Sequence, residues 1–208
     1  MTDPKTLVRE GYDRASHAYR GDEFEFSRSG YAYWLGQLVP HLAPGARVLD
    51  LGCGNGIPVS RELARQFHVT GVDLSPVQIE RARSLVPAAR FVCADMITVA
   101  FDPGSYEAIT AFFSIINLPL SEQPELIERM AGWLKPGGRL LATVGRYAWT
   151  RVEPDFRGVH GVSMYWSHAD VATYRTWFAA AGLVIEREGV EPRNGNPGYA
   201  MLIARKAS

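Results

Sequence analysis

The chain has 208 residues, of which 47% are hydrophobic and 21% charged, a composition typical of a globular protein with one sizeable core. Lysine plus arginine and aspartate plus glutamate number 22 each, so the formal net charge is zero. No segment gathers the basic residues that would follow a phosphate backbone, and a nucleic-acid substrate is therefore disfavoured.

The sequence also argues against a membrane-bound or secreted protein. It contains no run of about 18 apolar residues, and its opening residues mix charges with apolar side chains. Its two cysteines, Cys53 and Cys93, are too few for a disulfide framework and too far apart for a zinc-ligand pair. We therefore expect a cytoplasmic protein without a metal site, and the oligomeric state stays open.

Strand and helix signals alternate along the chain. Apolar runs bounded by glycine or proline predict strands at 46–51, 68–73, 90–94, 106–113 and 139–144. Apolar residues at helical spacing predict helices at about 58–66, 76–85, 122–134 and 170–181. A turn at Lys135-Pro136-Gly137-Gly138 should precede the fifth strand.

Two last strands, 183–190 and 199–204, flank a turn-rich loop at 192–198 and should form a hairpin. The alternation predicts a doubly wound α/β fold. We expect one domain over 1–208, with a mostly parallel, Rossmann-like sheet of seven strands that ends in an antiparallel C-terminal hairpin.

The most informative segment follows the first strand, where Asp50 precedes glycines at positions 52, 54 and 56. Glycines let the backbone approach a ligand at the carboxyl end of a strand. The spacing differs from the G-x-G-x-x-G fingerprint of nicotinamide-binding sheets. It resembles the first motif of class I S-adenosylmethionine (SAM)-dependent methyltransferases, in which Asp50, Gly52, Gly54 and Gly56 fill every motif position.

The resemblance continues at the ends of the next two strands. It implies that Asp73 accepts hydrogen bonds from both ribose hydroxyls of SAM, which suits a carboxylate because its two oxygens only accept. It further implies that Leu74 lies against the adenine, that Asp95 accepts from the adenine amino group, and that the Met96 backbone N–H meets the ring.

The fourth strand ends in an apolar segment, 112–119, where the family lines the space between the SAM sulfonium and the methyl acceptor. An aromatic side chain there, Phe113 above all, would stabilise the sulfonium or exclude water. The segment lacks the N/D-P-P-Y/F sequence with which the related nucleic-acid amino-group methyltransferases grip a flipped base. It also lacks an Asp and Asn cluster suited to magnesium.

An N-terminal helical lid is expected over about 1–40. Tyr12 and Tyr19 are seven residues apart and share a helix face. In similar enzymes a tyrosine-rich N-terminal helix closes over SAM, although helix packing would explain both residues equally well.

The segment at about 146–169 has no clean period and is expected to cap the acceptor. Tyr147, Met164 and Trp166 supply apolar surface for a small organic molecule, and His160 is the candidate general base, with His168 the weaker choice. Tyr147, Met164 and Trp166 could equally belong to a lid that merely covers the sheet.

These features predict an enzyme that moves the methyl group of SAM to a small-molecule acceptor by in-line displacement, mainly through positioning, and releases S-adenosylhomocysteine. Two alternatives stay open. A non-catalytic SAM-binding regulator would keep the acids and glycines without an acceptor pocket, and an oxidoreductase would use the glycine turn for NAD.

Overall fold

The computed structural model describes residues 3–193 and 196–207. Six α-helices are described: α1 Pro4–Tyr19, α2 Gly30–Leu38, α3 Val59–Leu63, α4 Pro76–Leu85, α5 Gln123–Trp133 and α6 Val171–Ala180. The strands are β1 Arg47–Leu51, β2 His68–Asp73, β3 Arg90–Cys93, β4 Tyr106–Ala111, β5 Leu134–Val144, β6 Trp149–Glu153, β7 Met164–His168, β8 Leu183–Arg193 and β9 Asn196–Lys206. Among the described residues, no helix is both long and apolar enough to cross a bilayer.

The main sheet has seven strands in the order β3-β2-β1-β4-β5-β9-β8. Its first five strands are parallel, and β9 runs antiparallel between β5 and β8. The predicted doubly wound fold and its C-terminal hairpin are confirmed, although Asn194 and Gly195, within the predicted turn, lie outside the described residues. Strand order reverses between β1 and β4, which is where such sheets form a ligand crevice at their carboxyl ends.

Side chains of the central strands alternate between two apolar layers, as the pleat requires. Leu49 of β1 joins the layer formed with α5 and α6, whereas its neighbour Val48 joins the layer formed with α1, α2 and α3. Both residues are fully buried. Helices therefore cover both faces of the sheet, and its carboxyl edge between them is left for a site.

The predicted turn at Lys135–Gly138 lies within β5. Pairing with β4 jumps from Tyr106 opposite Leu134 to Ala108 opposite Arg139, so this glycine-containing stretch forms a bulge. Gly137 has a φ of +76°, which a residue with a side chain rarely adopts. Turns and bulges draw on the same glycine conformations, and the sequence signal did not distinguish them.

The segment predicted to be irregular contains a second, two-stranded sheet of β6 and β7. Trp149 lies opposite His168, and Arg151 lies opposite Trp166. Alternate residues share a face of a strand, so these four side chains lie on one face of the hairpin. Because polar and aromatic side chains are mixed on that face, the sequence shows no alternation of apolar and polar residues by which these two strands could be predicted.

Asp50 is an acid within the core, with only 2% of its surface exposed. Its carboxylate accepts hydrogen bonds from Ser60 Oγ at 2.7 Å and Thr110 Oγ1 at 2.8 Å. Burial raises the pKa of Asp50 from 3.8 to about 6, against the opposing effect of the two hydroxyls. The hydrogen bonds anchor the end of β1 to α3 and β4.

The raised pKa of Asp50 predicts that the free energy of unfolding depends on pH. Between pH 3.8 and about 6 the folded protein holds a proton on Asp50 that the unfolded chain has lost, so this group's contribution to stability falls as pH rises. Asp50→Asn should remove the effect, since one hydroxyl can still donate to the amide oxygen while the other rotates to accept from the amide nitrogen. The melting temperature of the variant minus that of the wild type should increase from pH 4 to pH 7.

The exposed acid Asp102 provides a control. Asp102→Asn should leave the difference from wild type constant across that range, and a constant difference for Asp50→Asn would contradict the predicted cost of ionising the buried carboxyl.

Candidate functional site

A cleft opens at the carboxyl edge of the sheet, between the ends of β1 to β4 and the covering helix α1. We call it the strand-end cleft. Nine residues singled out in the sequence line it: Tyr12, Tyr19, Gly52, Gly54, Asp73, Leu74, Asp95, Met96 and Phe113. Since these residues come from five separate segments, the fold brings together what the chain keeps apart.

The glycine turn after β1 forms the floor of the strand-end cleft. Gly52 has a φ of +72°, and a Cβ added to it would lie 2.2 Å from Ser114 Cβ, so no larger residue fits. Gly54 has a φ of +54°, and a Cβ there would meet no atom within 4 Å. The turn thus presents bare backbone to open space, which is what close approach of a ligand requires.

Asp73 ends β2 and borders the glycine turn. Its Oδ2 accepts from the Gly54 N–H at 2.8 Å, and its Oδ1 accepts from the Ser75 N–H at 2.9 Å. Desolvation raises the pKa of the carboxyl, and these two backbone donors oppose the rise. A carboxylate has about four acceptor positions, so Asp73 is held rigidly while it retains capacity for ligand hydroxyls.

Asp95 lies at the far end of the strand-end cleft, and its oxygens also have partners. Oδ1 accepts from the Ile97 N–H at 2.9 Å, and Oδ2 accepts from Lys5 Nζ at 2.7 Å. Lys5 also lies 2.6 Å from a Glu122 oxygen. This pair of ion contacts fastens the start of α1 over the cleft. The sequence reasoning missed Lys5, because a single lysine near a helix start carries no local signal.

Tyr12 and Tyr19 share a helix face as predicted, with ring centroids 5.0 Å apart. The Tyr12 hydroxyl donates to Asn117 Oδ1 at 3.2 Å, and Asn117 Nδ2 donates to the Tyr165 carbonyl at 2.9 Å. Asn117 therefore joins α1, the segment after β4, and β7. Its role was missed, although an amide within the apolar run 112–119 was the available clue.

Phe113 follows β4 with a φ of +53°, in the left-handed region that residues other than glycine rarely adopt. Its ring packs 5.8 Å from the ring of Tyr199. Backbone strain of this kind is kept where the surrounding structure holds a side chain in a functional position. Here it directs an aromatic side chain into the wall of the strand-end cleft.

Six predicted site residues do not line the strand-end cleft, and two of these, Tyr147 and Trp166, line a second cavity. Asp50 borders a smaller adjoining cavity beneath the glycine turn. A Cβ on Gly56 would lie 3.0 Å from Val86, so this glycine serves close packing. Met164 is fully buried beneath α1. The His160 side chain is 100% exposed, with Nδ1 3.3 Å from an Asp155 oxygen.

His160 is therefore not placed to take a proton from an acceptor in the strand-end cleft. It lies in the loop between β6 and β7, and loop residues without buried contacts face solvent.

A second cavity, of about 700 Å³, lies at the β6–β7 hairpin, and we call it the hairpin cavity. The predicted substrate residues Tyr147 and Trp166 line it, together with His168 and Tyr199. Two ring pairs link its wall to that of the strand-end cleft: Phe113 with Tyr199, and Tyr19 with Phe156 at 6.1 Å. The two spaces are therefore neighbours whose walls meet at these aromatic side chains.

His168 is the histidine that lines the hairpin cavity. Its Nδ1 lies 2.6 Å from the Tyr147 carbonyl oxygen, which can only accept, so Nδ1 carries the proton and Nε2 the lone pair. Burial lowers the pKa of the ring below its usual 6.5. His168 is therefore neutral at pH 7 and able to accept a proton.

Comparisons with known proteins agree with this geometry. A family profile described as "Methyltransferase domain" matches residues 48–138. The ubiquinone biosynthesis O-methyltransferase of Xylella fastidiosa (strain 9a5c) is 30% identical over 218 residues, covering 86% of this chain and 85% of that protein.

Solved structures share the fold. The Burkholderia thailandensis 1,6-didemethyltoxoflavin-N1-methyltransferase, with 1,6-didemethyltoxoflavin and S-adenosylhomocysteine bound, superposes with a TM-score of 0.75 at 18% identity, covering 100% of this chain and 92% of that one. The [4+2]-cyclase SpnF superposes with a TM-score of 0.72 at 21% identity, covering 96% and 94%.

Three observations support one family: the glycine turn is open to a ligand, acids lie at three strand ends, and the similarity to an O-methyltransferase spans most of the chain. They argue against the oxidoreductase alternative. The chain belongs to the class I SAM-dependent methyltransferases.

Proposed function

We propose that this methyltransferase binds SAM in the strand-end cleft and transfers the methyl group in line to a small-molecule acceptor held in the hairpin cavity. The convergence of nine predicted residues on one cleft carries this proposal. SAM supplies a methyl group already activated on a positively charged sulfur. The protein therefore acts mainly by orienting the reactants, which is worth roughly 7–11 kcal/mol in favourable cases.

The donor-binding roles follow from the positions of the acids. Asp73, fixed by two backbone N–H groups beside the open glycine turn, would accept from the ribose hydroxyls. Asp95 would accept from the adenine amino group, and Leu74 and the Met96 N–H would contact the ring. Asp50 and Gly56 would act indirectly, by fixing the turn from beneath.

Helix α1 would serve as the lid over the donor. Tyr12, Tyr19 and Lys5 reach the strand-end cleft from this helix, and Lys5 fastens it to Asp95 and Glu122. Closing such a cleft excludes water and strengthens the interactions within it. The lid would comprise about residues 1–40.

The acceptor would lie under the capping segment 146–169, against Tyr147 and Trp166. A regulator without catalysis would have no need of such a cavity, so the hairpin cavity favours an enzyme. The structural relative with a bound small molecule and the related ubiquinone biosynthesis enzyme also support a small-molecule acceptor. Met164 would support this wall from the core without contacting the acceptor.

Where the acceptor must lose a proton, His168 replaces His160 as the proposed proton acceptor. Its neutral ring lines the hairpin cavity and keeps the Nε2 lone pair available. The principal test is mass spectrometry of a metabolite panel incubated with the protein and methyl-labelled SAM. Labelled small molecules would support the proposal, whereas SAM binding without any labelled product would favour the regulator.

Gly54→Val tests the placement of SAM. A branched side chain would fill the open space of the strand-end cleft, and SAM affinity should fall more than about tenfold, a loss of at least ~1.4 kcal/mol. Gly104→Val is the matched control, because Gly104 has a φ of +63°, equally open surroundings, and a position at the opposite edge of the sheet. Calorimetry that finds the same SAM affinity in both variants would contradict the placement.

His168→Asn tests the proton acceptor. The asparagine amide can still donate to the Tyr147 carbonyl, but it cannot titrate. Because the His168 pKa lies below 6.5, the wild-type rate should fall only at pH values below that, and the variant should lose this acid limb and much of its kcat. His160→Asn should retain the wild-type profile. An unchanged profile in His168→Asn would remove His168 from the reaction.

Trp166→Ala tests the acceptor wall. The indole is 8% exposed, its N–H donates to Glu153 Oε2 at 2.8 Å, and it lines the hairpin cavity. The acceptor KM should rise with little change in SAM affinity. Trp133→Ala, at the end of α5 and 5% exposed, controls for the roughly 3–5 kcal/mol that truncating a buried tryptophan costs. An unaltered acceptor KM in Trp166→Ala would mean that the acceptor binds elsewhere.

A further inference from the structure

We propose that the methyl acceptor bears an anionic oxygen group, a carboxylate or a phosphate, which Arg151 and Arg157 bind in the hairpin cavity. This inference rests on the proposed function, because it takes the hairpin cavity as the acceptor site. It adds the chemical class of the acceptor, which the shape of the cavity alone leaves open.

Arg151 projects from the middle of β6, on the hairpin face that also carries Trp149, Trp166 and His168. It lies opposite Trp166, and its guanidinium carbon is 4.9 Å from the centre of the Trp149 ring. Within residues 3–193 and 196–207, no carboxylate forms an ion pair with Arg151. A guanidinium that lies over an aromatic face keeps its edge N–H groups free for the oxygens of a carboxylate or a phosphate.

Arg157 approaches the same cavity from the loop between β6 and β7. Its guanidinium carbon lies 5.3 Å from the Tyr19 ring centre and 5.6 Å from the Phe156 ring centre. Tyr19 lines the strand-end cleft, and Phe156 lines the hairpin cavity. An oxyanion bound by Arg157 would therefore lie on the side of the hairpin cavity that borders the strand-end cleft, where SAM is proposed to bind.

The loop holds Arg157 in a costly conformation. Its φ is +55°, and that of Asp155 is +49°, both in the left-handed region that residues other than glycine rarely adopt. The loop is secured by the buried ring of Phe156, by a hydrogen bond from the Gly161 N–H to Asp155, and by Arg14 of α1, which donates to the Gly161 carbonyl at 2.9 Å. Such strain is consistent with a guanidinium held for a ligand.

The acids of the hairpin cavity do not cancel these charges directly. Glu153 accepts from the Trp166 indole N–H, and Asp155 accepts from the Gly161 N–H at 2.7 Å while it faces His160. Both carboxylates are thus engaged by their own hairpin and loop. With Arg146 the cavity lining carries three arginines and these two carboxylates, a formal charge of +1 (+3 and −2).

The test compares ligands that differ in charge. Calorimetric titrations would use 3,4-dihydroxybenzoate, its neutral amide 3,4-dihydroxybenzamide, and phenyl phosphate, each with and without saturating S-adenosylhomocysteine. An oxyanion should bind about 10- to 100-fold more tightly than the amide, the range for hydrogen bonds to a charged group. The better of the two anions identifies the preferred group.

Substitutions test which arginines cause the preference for the anionic ligand. Asparagine tolerates the same left-handed backbone, so Arg157→Asn should fold normally. The ratio of the anion's affinity to that of the neutral amide should fall toward one. Arg151→Gln should weaken that preference as well, whereas the exposed Arg187→Gln, on β8, should preserve it.

Equal affinity for the charged and neutral ligands, absence of saturable anion binding, or a preference that survives both Arg151→Gln and Arg157→Asn would overturn the proposal. Titration with S-adenosylhomocysteine alone keeps this outcome separate from the proposed function. If that compound binds and the anion preference is absent, only the acceptor class is wrong; if it fails to bind, the donor site itself is wrong.

Discussion

The hydrogen bond from the Gly54 N–H to Asp73 is the contact on which the proposed donor site depends. It joins the turn after β1 to the end of β2, and it fixes the carboxylate while the turn stays open to a ligand. Asp50 supports the same turn from beneath through Ser60 and Thr110. Because each partner is held by the parallel sheet, the site is formed before any ligand arrives, which reduces the entropy cost of binding.

Helix α1 couples the two spaces in which the reaction is proposed to occur. Lys5 binds Asp95 at the strand-end cleft, Tyr12 donates to Asn117, and Arg14 donates to the loop that carries Arg157. Movement of α1 would therefore alter the donor cover and the acceptor loop together. Any opening must break charge-assisted hydrogen bonds at one end and an aromatic cluster at the other.

Two histidines of the capping segment, which are similar candidates in the sequence, differ in their burial. His160 is fully exposed on a loop, whereas His168 ends a strand that pairs with β6, and its ring packs against Trp149 and Tyr199. The neighbouring Gly145 explains the fit, since a Cβ there would lie 2.2 Å from the His168 ring. The cavity thus receives a neutral imidazole together with arginines.

The sequence by itself determined the doubly wound α/β fold, the C-terminal hairpin, the glycine turn and the acids at the strand ends. These features depend on local periodicity and on parallel strands ending at one edge of the sheet. The sequence also placed Tyr12 and Tyr19 on one helix face. Only the tertiary structure decided that Lys5 meets Asp95, that His160 faces solvent, that Met164 is core, and that Arg151 and Arg157 line one cavity. The contacts of Lys5 and Met164 join residues that are tens of positions apart in the chain. The positions of the hairpin and loop side chains depend on strand register and backbone conformation. No local sequence pattern encodes these contacts, this register or this conformation.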